Sequence, residues 1–449
     1  MKRHVRTVVL SLGFFAAPWL CADEPSAKVL LAEDLLPQLR PVLEQALKQS
    51  PRLVDKNLEV LQADANSYMA VARRYPSVGA NLQDNYGKEK RADDPRGWQP
   101  TEKLNYNLSL NQPIWQWGIL EAASRIGKIG QEIAQRNYAE AYRYLALEVR
   151  SAYLQLILSK MGVRNTAFVN KLAQENLKRQ ESRFSTNQIT MGEVMAVRLA
   201  AAEASLAARR TATDFDFVLR NFRRITGIAD FAEADIPDAI PGVEQTPVVV
   251  QPGAMTVLLE SNGAKISELD VQRARLDYRS AQFNRYPKFS AVTSISQDQV
   301  SYTRDVGNRY QVQDLFIGLQ LQWNIFDGPN TKGLRLASLT RIRQAERARD
   351  SLKDTLRQTA ESEALNVNYA WEACRNAAAR YRFAREGAAA TRENFTRGQA
   401  SQEQVDGTQA AAYGSESTYQ NSIFGYLNAA AQYLSTLRAD PFAQSPVQP

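Results

Sequence analysis

The sequence predicts an α+β membrane protein of two tandem repeats, in which four β-strands per chain join a 12-stranded barrel shared by three copies and long α-helices continue it. Three observations predict this: an internal duplication, strand-like alternation in both copies, and helical stretches far longer than a compact core needs. In the stretch 314–326, Leu315, Ile317, Leu319, Leu321, Trp323 and Ile325 fall on one face and Phe316, Gly318, Gln320, Gln322 and Asn324 on the other, a period of two. Subtracting 211 gives Leu104, Tyr106, Leu108, Leu110, Gln112 and Ile114 on the same face, with Asn105, Asn107, Ser109 and Asn111 opposite. The offset recurs without a gap. Arg74-Tyr75-Pro76 answers Arg285-Tyr286-Pro287, Trp115 answers Phe326, Phe184 answers Phe395, and Val194 answers Val405.

The first 22 residues read as an export signal: Lys2, Arg3 and Arg6, then an apolar run from Val8 to Ala17, then a small residue, Ala22, before Asp23. Cys21 raises lipidation, but Pro18-Trp19-Leu20 before it lacks the small residues of a lipid-attachment site. Loss of 1–22 lowers the formal charge from +7 to +4, and the basic residues of 335–349 share their helix with Glu346 and Asp350, which argues against a nucleic-acid partner. Cys374 is then the only cysteine, and His4, the only histidine, lies in the signal. Imidazole-dependent catalysis and histidine metal ligation are excluded, and no phosphate loop or metal-ligand spacing is present, so no enzyme, cofactor or metal site is expected.

The first repeat spans 23–226. Apolar residues at helical spacing from Ala32 to Arg74 break at Ser50-Pro51 and give a short and a longer helix, which Tyr75-Pro76 ends. Strands follow at about 76–86 and 104–115, with a charged loop from Gly87 to Lys103 between them. A helical hairpin occupies 118–226. Its first arm runs unbroken by proline to about Ser185, roughly 100 Å at 1.5 Å per residue; its second, from about Thr190, is rich in alanine. Residues 227–254, with Pro237, Pro241, Pro247 and Pro252, form a connector. The second repeat, 255–438, repeats the plan: a helix from Met255 to Asn284, strands at about 288–302 and 314–326 around a loop from Thr303 to Arg309, and a helical hairpin at 332–437. The tail 439–449 is expected to be disordered.

A strand of eleven residues spans about 36 Å and, when tilted, crosses a hydrocarbon core. In hydrocarbon the strands must close into a barrel, and one chain supplies too few, so three chains are the simplest closure with a lumen. Leu104, Tyr106, Leu108, Leu110, Leu315, Ile317, Leu319, Leu321 and Trp323 are expected to face lipid, and the amides between them the lumen. Equal spacing from Trp115 to Phe184 and from Phe326 to Phe395 puts both hairpin turns at one depth.

The sequence resembles the TolC-type outer-membrane factors over about residues 30–438. The resemblance rests on the tandem repeats, the Tyr-Pro before each first strand, Gln112-Pro113-Ile114-Trp115, Asn324-Ile325-Phe326-Asp327-Gly328, and the turn Phe395-Thr396-Arg397-Gly398-Gln399-Ala400-Ser401. It implies a homotrimer in the outer membrane of a Gram-negative bacterium, surrounded by outer-membrane lipid and extended by a helical tunnel across the periplasm. The function expected from it is the exit duct of a tripartite export system for type I protein secretion, with a periplasmic adaptor and an inner-membrane transporter of ABC type as partners; drug or small-molecule efflux and a periplasmic helical scaffold are the alternatives. By the same resemblance Asn187, Gln188, Gly398 and Gln399 are adaptor-docking tips. The periplasmic mouth falls on Glu193, Glu403, Gln404 and Asp406, although the family's acidic positions here hold Gln404 and Gly407, and its aromatic and basic gate partners fall on Phe395 and Ala400.

Overall fold

The computed structural model describes residues 29–90, 97–243, 260–302 and 310–442, together with 95 and 258. The signal-sequence reading of 1–22, with Cys21, and the 303–309 loop lie outside them. The chain opens with α1 (Ala32–Leu35), α2 (Leu39–Gln49) and α3 (Pro51–Ala72). The break expected at Ser50-Pro51 is present, with Pro51 in the first turn of α3, where its missing N–H costs nothing. Strands β1 (Ser77–Glu89) and β2 (Gln99–Trp115) lead to α4 (Ile119–Ser185) and α5 (Met191–Thr226). After the connector come α6 (Asn262–Phe283), β3 (Lys288–Tyr302), β4 (Tyr310–Gln322), α7 (Asn330–Thr396) and α8 (Gln402–Thr436). Both α4 and α7 are 67 residues long, so the duplication is kept in length as well as in order.

The four strands form one antiparallel meander, β1-β2-β3-β4. The register aligns Leu82 with Tyr106, Gln297 and Gln313, and Ala80 with Leu108, Ile295 and Leu315; Val78, Leu110, Thr293 and Ile317 form the next row. Directly opposed residues share a face, so the apolar sets of both repeats lie on one side of one sheet. The other side carries Asn81, Asn107 and Ser294, with the Asn107 amide donating to the Ser294 hydroxyl at 3.0 Å. The strands start and end beside α3, α4, α6 and α7, so the helices leave one end of the sheet and the strand-to-strand loops lie at the other.

Four boundaries differ from the expectation. The charged loop is shorter than 87–103, because Lys88, Glu89, Glu102 and Lys103 extend the ladder and Lys103 pairs with Glu89 at 2.9 Å; a backbone ladder needs N–H and C=O groups, not apolar side chains. Strand β4 stops at Gln322, so Trp323 and Ile325 lie beyond it. Its partner β3 starts at Lys288, after Pro287, which has no N–H to give to the ladder, and the Trp323 indole instead donates to the Arg285 carbonyl at 3.0 Å. Helix α6 starts at Asn262 rather than 255, where the Ser261 hydroxyl accepts the Ala264 N–H. The segment 439–442, expected to be disordered, is anchored: Asp440 is fully buried on Arg150.

The principal core sits at mid-height of the hairpins. Leu145, Val149, Leu154 and Ile157 of α4 pack against Leu39 and Leu43 of α2, Phe222 of α5, Ile423 and Leu427 of α8, and Ile228, Phe231 and Ile240 of the connector. Inside it the Arg150 guanidinium holds Glu33 (Nε to Oε2 2.9 Å, Nη2 to Oε1 2.7 Å) and Asp440 (Nη2 to Oδ1 2.8 Å). Burial disfavours the cation, but the two carboxylates outweigh it and raise the guanidinium pKa above its ordinary value. Residues next to the chain's first and last described segments are therefore tied to one point on α4.

The outward exposure of the sheet generates a test. Leu321 and Gln322 are neighbours on opposite faces. A cation on the apolar face costs about 2–4 kcal/mol at mid-bilayer and about 0–1 near the interface, so Ile317→Arg, mid-way along β4, should sharply lower the yield of heat-sensitive trimer on unheated gels, whereas Leu321→Arg at the strand end should lower it less and Gln322→Arg on the other face should leave it near normal.

Candidate functional site

The two hairpin turns repeat each other bond for bond. At the end of α4, Asn187 takes a left-handed conformation (φ 55°). Its N–H donates to the Phe184 carbonyl and that of Gln188 to Arg183, both at 2.9 Å. At the end of α7, Gly398 (φ 73°) donates to Phe395 at 2.9 Å and Gln399 to Asn394 at 2.8 Å. Both are the helix-ending arrangement that a left-handed residue permits, and asparagine and glycine adopt it at least cost. Each turn then starts a helix with a reciprocal cap. Thr190 N–H donates to Glu193 Oε2 at 2.7 Å and Glu193 N–H to the Thr190 hydroxyl at 3.4 Å; Ser401 N–H donates to Gln404 Oε1 at 2.8 Å and Gln404 N–H to the Ser401 hydroxyl at 3.2 Å.

These caps say what two of the four expected mouth residues do locally. Glu193 and Gln404 close their own helix starts. The Thr190 backbone N–H, then its hydroxyl, with a weaker contribution from Arg183, hold the Glu193 carboxyl below its ordinary pKa. The cap is thus at full strength above the ordinary glutamate range and is lost as pH falls through the lowered value. Glu403 is exposed in the first turn of α8. Asp406 faces the other hairpin: its carboxylate accepts from the Gln402 amide at 2.7 Å and pairs with Arg179 of α4 at 3.5 Å.

The Arg179–Asp406 pair is the contact nearest the tips in a seam where α4 of the first repeat meets α8 of the second. Higher up, Phe168 and Tyr413 meet edge to face with centroids 4.7 Å apart, Arg164 pairs with Glu416 at 2.8 Å, and Arg143 donates to the Ser435 hydroxyl at 2.8 Å. A solvated ion pair at such a distance contributes about 0–1 kcal/mol. The end of the seam near the turns is therefore its weakest part. Sequence reasoning missed Arg164, Phe168, Arg179, Tyr413 and Glu416; their only signal was helical spacing on two helices already crowded with charge.

At the other end of the molecule the sheet carries the expected apolar set, Leu104 to Leu110 and Leu315 to Leu321, on one face, with Trp323 just outside the ladder. Ile317 and Leu319 are 85% and 79% exposed in the single chain. Among the described residues no helix is long and apolar enough to cross a membrane, and no group of histidine, cysteine and acidic residues could hold a metal ion.

Residues 42–214 match the family model described as outer membrane efflux protein. No curated protein is similar enough in sequence to match. Among solved structures, the CmeC outer membrane channel of Campylobacter jejuni superposes with a TM-score of 0.71 at 14% identity, covering 96% of this chain and 93% of that one. The MtrE outer membrane channel of Neisseria gonorrhoeae, solved in an open state, gives 0.64 at 14% identity and 89% of each chain. The outer membrane protein VceC of Vibrio cholerae gives 0.62 at 14% identity, over 90% of this chain and 97% of that one. The chain thus has the fold of these outer membrane channels, and its residues 42–214 match the family model of the outer membrane efflux proteins.

Proposed function

We propose that three copies of this chain form the outer-membrane exit duct of a tripartite export system, with a periplasmic adaptor and an inner-membrane pump as partners. The observation that carries this reading is an open four-stranded meander, predominantly apolar on one face, with the four helices that adjoin its strands all leaving from the same end. Strand directions alternate, so β4 of one copy meets β1 of the next in antiparallel sense, and three copies close a barrel with no edge left. The apolar side then faces outer-membrane lipid and the asparagine and serine side a hydrated lumen. Exposed apolar residues on the long helices, Leu199, Leu206, Leu336 and Phe383 among them, become contacts between copies.

The family description, outer membrane efflux protein, favours the efflux reading, with small molecules as its cargo. Type I protein secretion, with a pump of ABC type, is a second reading supported by the missing small residues before Cys21. A strain lacking the protein distinguishes them: greater sensitivity to small toxic compounds with an unchanged set of secreted proteins favours efflux, and the converse favours secretion. Loss of neither overturns the duct.

Within this reading Asn187, Gln188, Gly398 and Gln399 form a rim of six tips that docks the adaptor, and Glu403 and Asp406 belong to the periplasmic mouth. Gly398→Val forces a β-branched residue into a left-handed conformation, at about 1–2 kcal/mol. It should leave trimer and membrane insertion intact while abolishing export and adaptor crosslinking. Arg179→Ala and Asp406→Asn remove the same weak contact from opposite sides, so each should leave trimer yield normal and raise the open time of single channels in planar bilayers. An increase in neither variant would remove the pair from the gate.

A further inference from the structure

A cleft of about 740 Å³ lies at mid-height, between α2 and the start of the connector, with Tyr153 of α4 in its wall. The course of the connector beside α2 is fixed both by a tight turn and by packing. Gly227 (φ 75°) turns the chain so close to the end of α2 that a Cβ there would lie 2.7 Å from the Gln49 carbonyl. Four residues on, Phe231 packs against Phe222 with centroids 4.9 Å apart, while its carbonyl accepts two hydrogen bonds from Arg223 at 2.9 and 2.7 Å. The wall is preorganised before anything enters it.

Two features of the lining decide what it can hold. Among the described residues the Tyr153 hydroxyl has no hydrogen-bond partner, and the residue is only 1% exposed. Burial first, and the charge of Asp235 second, push its pKa up to about 12, so it stays protonated and offers a donor and an acceptor. The charge of the lining is also one-sided: Asp230 and Asp235 contribute carboxylates, Asp235 with one oxygen already accepting the Ala232 N–H at 3.0 Å, Gln38, Gln45 and Gln49 contribute amides, and none of the lining residues is a cation. Val42 and Phe231 add apolar surface, and the aromatic rings of Phe231 and Tyr153 suit a positive charge as well. A volume of this size is typical of pockets for small organic molecules.

We propose that this cleft binds a small organic cation, an ammonium group carried on an apolar body, with the ammonium between Asp230 and Asp235 and the Tyr153 hydroxyl hydrogen-bonded to the bound molecule. The site lies on α2, α4 and the connector, away from both the sheet and the turns, and does not depend on the duct reading. Isothermal titration of the full-length protein in detergent, with phenethylamine as the probe and 2-phenylethanol as its uncharged counterpart, tests it. Saturable binding of the amine at one site per chain is expected, with the alcohol at least ten-fold weaker. Asp230→Asn, an exposed position that leaves the fold untouched, should weaken the amine several-fold. Tyr153→Phe should weaken it at least ten-fold and at the same time raise the thermal midpoint of the unliganded protein, because it removes a buried hydroxyl that has no partner. No saturable binding, equal affinity for amine and alcohol, or unchanged binding in both variants would overturn the proposal. A lowered midpoint for Tyr153→Phe would assign the hydroxyl a structural role instead and overturn it equally.

Discussion

The outer edges of β1 and β4 each carry a row of backbone N–H and C=O groups with no partner strand in the described chain. Water can satisfy such edges, hydrocarbon cannot, and an unpaired peptide group there costs several kcal/mol. The same sheet has a face that water does not suit, since Leu108 and Leu110 of β2, Ile295 of β3 and Leu315, Ile317 and Leu319 of β4 all lie on it. One sheet thus asks both for an apolar surround and for further strands. A closed barrel of several copies meets both demands, and the even strand count allows it to close head to tail without a parallel pair.

Closing a barrel constrains what hangs from it. Because α3, α4, α6 and α7 all join the same end of the sheet, they continue the wall in one direction. Helices of 67 residues gain little from their own short-range interactions and depend on lateral packing. The mid-height core supplies it once per chain, and the Arg150 cluster sits within that core. Burying three charges is expensive, yet leaving one of them unpaired costs more, about 3–5 kcal/mol. Glu33, Arg150 and Asp440 therefore hold or fail together, which couples the start of the chain, the middle of α4 and the segment after α8. Towards the turns the α4–α8 seam thins to the Arg179–Asp406 pair, whose 3.5 Å separation is longer than the 2.8 Å of Arg164–Glu416 higher up.

What could be read from the sequence follows from how local each signal is. The alternation of 104–114 and 315–321, the two long helices and the left-handed turn at Gly398 depend on neighbours a few residues away, and the duplication supplied each reading twice. The end of β4 escaped because the pattern runs on through Trp323 and Ile325, while the ladder stops where Pro287, thirty-odd residues upstream, has no N–H to donate. The anchoring of Asp440 and the meeting of Arg179 with Asp406 depend on residues hundreds of positions apart, and a charge on a long helix looks the same in sequence whether it faces water or a partner. The Glu193 cap has a legible signature, Thr190 three residues before a glutamate, and this local role is compatible with a place at the mouth.

The central claim is that β1 of one copy pairs with β4 of another until three copies close. It is tested most directly by placing one cysteine at Asn81 on the polar face of β1 and a second, in turn, at Phe316, Gly318, Gln320 and Gln322 on the polar face of β4, then oxidising membranes and running non-reducing denaturing gels. The account predicts that at least one of these pairs yields covalent trimers with dimers as intermediates, and nothing larger. Crosslinking that stops at dimers, continues beyond trimers, or fails for every pair while the protein remains folded would contradict it.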